Sequence, residues 1–282
     1  MMCHWRAAVA AAVLVAAVPR GARAQIDYRN LDDDRPTRIE DAYPVERYAF
    51  ELIAPYRVER ERGGTTLHAF IWEAAYGIVR NGQLGLKLPV AAVAAGGRTT
   101  WGLSGLRAFA LYNLNTEGPA LPALALRADG ILPVGALGGA EARGAVRAIA
   151  TRSFGRSRLH LNGEIGFGPD AAAATVEGAT RWWYGAALDR TLFRHSTLLI
   201  AEVYALRPSA AAPVEVHGSL GVRRQVTPTL VLDAGISRGF RKQLGPEIEF
   251  TLGFSHAFGV SALMPRGRRT ANVEGGADAH RH

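Results

Sequence analysis

The stretch His68–Val90, HAFIWEAAYGIVRNGQLGLKLPV, decides the fold. His68, Phe70, Trp72, Ala74 and Tyr76 alternate with Ala69, Ile71, Glu73 and Ala75. After Asn81-Gly82, Leu84, Leu86, Leu88 and Val90 share one face, and Gln83, Gly85 and Lys87 share the other. Successive side chains of a strand point to opposite faces, so each half reads as a strand with one apolar face. Asn-Gly accepts the positive φ angles of a two-residue hairpin turn and joins the halves.

The pattern repeats in both directions. Upstream, Tyr48, Phe50, Leu52, Ala54, Tyr56 and Val58 alternate with Arg47, Glu51, Arg57 and Glu59. Downstream, strands are expected at 101–113, 121–134, 142–154, 159–167, 180–189, 197–206, 214–223, 230–237 and 247–258. About 12 segments result, each near the ~9–11 residues that a tilted strand needs to cross a bilayer. No helical period competes, and Ala171–Ala174 lies between turn residues and reads as loop. The expected fold is all-β, an antiparallel transmembrane β-barrel of about 12 strands, of the outer-membrane type. A soluble sandwich also alternates. Large aromatics near strand ends favour the membrane: Tyr48, Tyr56, Trp72, Tyr76, Trp101, Trp182, Tyr184 and Phe258 would form interfacial girdles. Closure also removes the unpaired edges that so many strands without covering helices would leave.

The ends of the chain read differently. Arg6, the apolar run Ala7–Val18 and Ala22-Arg23-Ala24 have the layout of a secretory signal peptide, 1–24, cut after Ala24. Its run is too short for a spanning helix, and no stretch of about 18 apolar residues follows. The single cysteine, Cys3, lies in this signal, so disulfides play no part downstream. The signal carries Arg6, Arg20 and Arg23 and no acid, so its removal takes the net charge from +8 to +5. Residues 25–44, with Asp32-Asp33-Asp34 and two prolines, read as a periplasmic arm without fixed structure. The barrel occupies 45–258. The strand ending on Phe258 looks like the aromatic-terminated strand that the barrel-insertion machinery reads, and 259–282 reads as a disordered tail.

Alternation places Arg47, Glu51, Arg57, Glu59, Glu73, Lys87, Arg127, Asp129, Glu164, Glu202, Glu215, Arg223, Asp233 and Glu249 on lumen-type positions. Mixed charges there either tune a pore or pair across the lumen and fill it. The bases form no aromatic-interleaved stripe, so nucleic-acid binding is not expected. His160, Asn162 and Glu164 share a strand face, but no serine stands two residues from His160, so acyl-transfer chemistry lacks its nucleophile. His68, His217 and His256 are isolated, and His280 and His282 lie in the tail. No enzyme activity, cofactor or metal is expected. The Asp32–Asp34 run reads as a solvated arm in preference to a cation site.

Several short motifs carry a family resemblance. They are Arg35-Pro36, Glu40-Asp41-Ala42, Phe50-Glu51-Leu52, Tyr76-Gly77-Ile78, Leu84–Pro89, Leu188-Asp189, Glu202-Val203-Tyr204, Leu230–Gly235 and Gly253–Phe258. Across residues 35–258 the chain resembles the outer-membrane transporter family of the phenol meta-cleavage pathway. The resemblance implies an outer-membrane barrel that passes small hydrophobic or aromatic solutes, with outer-membrane lipids around it. The alternatives are a structural or adhesive barrel with a filled lumen, and a soluble secreted all-β protein. Export signal and strand pattern together predict that the mature chain stays with the membrane fraction after cell disruption; recovery in the aqueous fraction is the contrary result.

Overall fold

The computed structural model describes residues 25–170, 180–192, 196–240 and 245–264. The signal peptide, the Ala171–Ala174 loop, His280 and His282 lie outside the described residues. Fourteen strand segments follow in order: β1 (Ala49–Ile53), β2 (Tyr56–Glu61), β3 (Thr66–Val79), β4 (Gly82–Ala95), β5 (Arg98–Leu103), β6 (Leu106–Asn115), β7 (Ala123–Leu132), β8 (Arg143–Phe154), β9 (Ser157–Phe167), β10 (Trp182–Thr191), β11 (Thr197–Arg207), β12 (Glu215–Thr227), β13 (Leu230–Gly239) and β14 (Pro246–Gly259).

These segments make a closed antiparallel barrel of 12 staves, because two staves are each broken once. β1 and β2 both lie between β14 and β3, so together they form the first stave and close the barrel. Ala54-Pro55 interrupts it where alternation predicts one unbroken strand. Proline has no N–H to give the ladder. The neighbours still use its surroundings: Ala54 N–H donates to Phe254 O, and Ile71 N–H donates to Pro55 O. The second break, Ser104-Gly105, divides β5 from β6 along their shared partner β4. It falls opposite Pro89, whose carbonyl accepts the Ser104 N–H at 3.0 Å. Gly105 takes φ +93, a left-handed value that suits glycine.

Period two then separates two surfaces. Leu84, Leu86, Leu126, Ile165, Leu220 and Leu252 all stand exposed on the outside. An apolar exterior on a closed sheet is what lipid requires. Phe50 stacks on Tyr76 at 4.4 Å and on Phe258 at 5.5 Å, at the end where both termini of the barrel lie. Trp182 stacks on Tyr184 at 5.5 Å near the other end, where Trp101 is 75% exposed. The inner surface is polar and buried.

The N-terminal arm departs from the sequence expectation. Residues 25–44 do not extend into the periplasm without structure. Ile26, Leu31, Asp33, Arg35, Ile39, Glu40, Asp41 and Ala42 are all buried, inside the lumen. The like-charge run that would repel itself in water meets cations of the wall here. The outer mouth is narrowed as well, because Leu137 of the 133–142 connection packs on Ala69, Ile71 and Ala91 of the inner wall. Past β14 a single 3-10 turn, Ser261–Leu263, orders the first residues assigned to the tail.

A charge placed on the outer surface should cost about 2–4 kcal/mol near the bilayer midplane. Leu220 sits mid-strand, opposite Ala201 and Ile236. Leu220→Arg is therefore expected to lower unfolding stability in lipid by about that amount, measured by denaturant titration. An unchanged midpoint would place Leu220 away from the lipid.

Candidate functional site

The lumen is occupied by the chain's own N-terminal segment. Ile26 N–H donates to Pro228 O at 2.9 Å, in the turn between β12 and β13, so the segment enters at the end that holds the barrel's termini. It reaches Arg38, whose guanidinium lies over the rings of Trp183 (5.5 Å) and Tyr204 (5.2 Å). It then returns, and Val45 N–H donates to Gln83 Oε1 at 2.6 Å. Asp41 N–H donates to Leu31 O at 3.1 Å and ties the two limbs together. Asp34 has φ +65, a left-handed residue near the apex that aspartate tolerates better than most.

Asp33 is the centre of the docking. Its carboxylate meets Arg147 at 2.5 Å, Lys87 at 2.8 Å, and Arg107 and Arg127 at 3.4 Å. These cations come from β8, β4, β6 and β7. Burial alone would raise the Asp33 carboxyl; Arg147, Lys87, Arg127 and Arg107 outweigh it and hold the group well below the usual carboxylate range. Glu40 adds a second carboxylate on the same wall, 2.8 Å from Arg127 and 3.0 Å from Arg147. Asp41 pairs with Arg158 at 3.1 Å.

The opposite wall is acidic, and the segment's Arg35 faces it. Arg35 is fully buried and bonds Asp233 at 2.8 Å, Asp32 of its own segment at 2.5 Å and the Ser255 hydroxyl. Glu51 stands 3.9 Å away. Asp33, Glu40 and Asp41 thus face the basic β4–β9 wall, Asp32 pairs with Arg223 of β12 at 3.1 Å, and Arg35 faces the acids of β13 and β1. Wall side chains also take its backbone groups. Ile39 N–H donates to Glu202 at 2.6 Å, Glu40 N–H to Asn162 at 3.0 Å, and Asn113 donates to Ala42 O at 2.7 Å. Small residues leave room for the segment. A Cβ on Gly221 would stand 2.6 Å from Pro36 Cγ, and one on Gly235 would stand 2.0 Å from Pro36 O.

Most of the residues expected in the lumen are on its inner wall. Glu51, Arg57, Glu73, Lys87, Arg127, Asp129, Glu164, Glu202, Arg223 and Asp233 are buried there. Glu59, Glu215 and Glu249 are half-buried toward the outer mouth. Arg47 is a correction. It is exposed, because Tyr48 takes φ +69 and the strand starts only at Ala49, so the alternation does not extend back to it. Its guanidinium lies over the Tyr48 ring at 4.5 Å. Arg107, Arg147, Arg158 and Asp189 belong to the buried wall and escaped the sequence reading, as did every charge of the segment. Continuing the alternation through β6, β8, β9 and β10 would have found the first four.

His160 also has a place. Its Nδ1 lies 3.0 Å from Thr151 Oγ1 and its Nε2 lies 3.0 Å from Asp189 Oδ2. Those are the contacts of a nucleophile, base and acid. However, Thr151 Oγ1 accepts the Ala42 N–H at 3.1 Å, and Thr151, His160 and Asp189 are all fully buried. A hydroxyl that accepts from Ala42 is set to donate to His160, which leaves Nε2–H for Asp189. The trio holds the segment. Among the described residues no cluster of three or more His, Cys, Asp and Glu side chains is arranged to hold a metal.

Fold and lumen together define a 12-stave outer-membrane β-barrel. No family model and no curated protein matches the sequence. Solved structures do match in shape. The COG4313 outer membrane channel from Pseudomonas putida F1 is 16% identical, with a TM-score of 0.59 over 81% of this chain and 100% of that one. The KdgM porin is 10% identical, with a TM-score of 0.50 over 73% of this chain and 99% of that one. The NanC porin is 5% identical, with a TM-score of 0.50 over 73% and 98%. At these identities the likeness is one of fold.

Removing one partner of a buried ion pair costs about 3–5 kcal/mol, because the other charge is left uncompensated. Arg35→Ala should therefore release the segment, and Gly235→Val should do so by collision with Pro36. The measurement is hydrogen exchange of residues 31–42 in detergent. Expected is lost protection there with the strands still protected; protection equal to that of the parent chain would mean that neither contact holds the segment.

Proposed function

We propose that the protein is an outer-membrane channel for small hydrophobic or aromatic solutes, closed in the present conformation by its N-terminal segment. The observation that carries this reading is the width of the bore. A wall that only needed filling could be filled by its own side chains. This wall instead keeps Gly221, Gly235 and Ser255 against the segment and leaves space for a polypeptide. Among the described residues, one backbone-to-backbone hydrogen bond joins 25–44 to the barrel, at Ile26. The rest of the docking is made by side chains, so the segment can leave without breaking the sheet.

The likeness to a channel and to porins supports the same reading, as does the resemblance of Arg35-Pro36 and Glu40-Asp41-Ala42 to the phenol-pathway transporter family. Those two motifs are the apex and the returning limb of the docked segment. At the inner mouth a cavity of about 390 Å3 lies between the limbs and the wall, lined in part by Ile26, Tyr43, Val45, Ala49 and Ala257. Its size suits a small solute, and Asp27, Arg29, Glu46, Glu51 and Arg158 line it as well, so it offers charged partners beside the apolar ones. The filled lumen by itself favours the second reading, a structural barrel.

Planar-bilayer recordings separate the two. The intact chain is expected to conduct little, and a chain lacking residues 25–44 to conduct several-fold more and to speed uptake of a neutral aromatic probe into liposomes. Silence from both chains would leave the structural barrel.

A further inference from the structure

We infer that the cavity at the inner mouth binds a small zwitterion, an amino acid with an apolar side group, whose carboxylate meets Arg29 of the segment and whose ammonium meets Glu51 of the wall. As a solute site it rests on the channel reading and names the solute class; the binding itself can be read without passage.

The cavity lies between the docked segment and the barrel, and its polar lining is incomplete on both sides. On the segment, Arg29 lines it. The Arg29 Nε and Nη2 are buried with no hydrogen-bond partner, and among the described residues its guanidinium makes no ion pair. On the wall, Glu51 of β1 lines it and is 4% exposed. The Glu51 Oε1 is buried without a hydrogen-bond partner and stands 3.9 Å from Arg35 Nη2, too far for a hydrogen bond. Buried donors and acceptors left unpaired are costly, so both groups gain from a ligand that brings the complementary charge. Arg158 is the other cation of the lining, and Asp41 at 3.1 Å and Asp189 at 2.7 Å already hold it. A ligand's carboxylate therefore goes to Arg29.

The rest of the lining selects against a ligand of single charge. A simple anion would meet Asp27 and Glu46, both exposed, as well as Glu51. A simple cation would leave Arg29 as it is. A molecule with both charges serves both groups, and a guanidinium offers paired donors to the two oxygens of a carboxylate. Ile26, Val45, Ala49 and Ala257 pack in one apolar cluster and give the lining a surface for a side group. A volume of about 390 Å3 suits a single amino acid better than a peptide.

The site also couples binding to closure. Arg29 belongs to the segment and Glu51 to the barrel, so one bound molecule ties the two together. A ligand that binds only the docked arrangement shifts the population toward it. Solute that reaches the inner mouth thereby holds the segment in the lumen.

The test uses the full chain in detergent and three probes that share a ring: free phenylalanine, benzoate and phenethylamine. In equilibrium dialysis phenylalanine should bind about tenfold more tightly than either probe of single charge. Arg29→Gln should remove that advantage, and Glu51→Gln should lower phenylalanine to the level of benzoate. Hydrogen exchange of residues 31–42 should slow several-fold with saturating phenylalanine in the parent chain and stay unchanged in R29Q. Phenylalanine binding no tighter than that of benzoate or phenethylamine, or equal binding by the parent and R29Q chains, would overturn the site. Tight binding with unaltered exchange would overturn the bridge between segment and wall. The channel is judged separately. Silence in the bilayer from a chain lacking residues 25–44 would remove the channel, and the dialysis result would still decide the site.

Discussion

Everything inside this barrel depends on the carboxylate of Asp33 and the four cations around it. Closing a sheet of this size brings inward-facing side chains from opposite walls within reach of one another. A buried guanidinium or ammonium without a partner is costly. Lys87, Arg107, Arg127 and Arg147 come from neighbouring staves and are crowded on one side. Asp33 meets all four, and the rest of the segment docks around it: Arg35 against Asp233, Glu40 between Arg127 and Arg147, and Pro36 over Gly221 and Gly235.

The wall obeys a separate and simpler constraint. In lipid every backbone donor and acceptor must find a partner within the protein. Antiparallel pairing around a closed ring supplies them, and both breaks in the ring occur at or opposite a proline. Pro55 interrupts the first stave, and Pro89 lies across from Ser104-Gly105. Neither break leaves the neighbouring backbone without bonds, since Ile71 reaches Pro55 O and Ser104 reaches Pro89 O.

Barrel and segment are thus held by different forces. Backbone hydrogen bonds and an apolar exterior hold the wall. Ion pairs and side-chain hydrogen bonds hold the segment. Salt bridges can exchange one carboxylate for another, whereas a sheet ladder cannot exchange its strands without unfolding. A closed lumen and a solute path are therefore compatible within one molecule. The Thr151, His160 and Asp189 cluster belongs to the same logic, because its hydroxyl holds Ala42 in place.

The sequence alone determined the wall. Period-two alternation and Asn81-Gly82 act between near neighbours, so they announce strands, hairpins and faces without reference to the rest of the chain. They also put Lys87, Arg127, Asp129 and Asp233 on the inner face. Alternation could not see that Pro55 breaks a stave, or that Tyr48 ends the pattern before Arg47, because both depend on backbone angles that the period does not encode. The fate of residues 25–44 was decided by tertiary structure only. Read locally, Asp32-Asp33-Asp34 is a run of repelling charges that water should keep unstructured. Its partners lie far along the chain: Arg35 meets Asp233 across 198 residues, and Arg158 meets Asp41 across 117. Only closure of the barrel gathers those cations into one place, and only then does a disordered-looking arm become the occupant of the lumen.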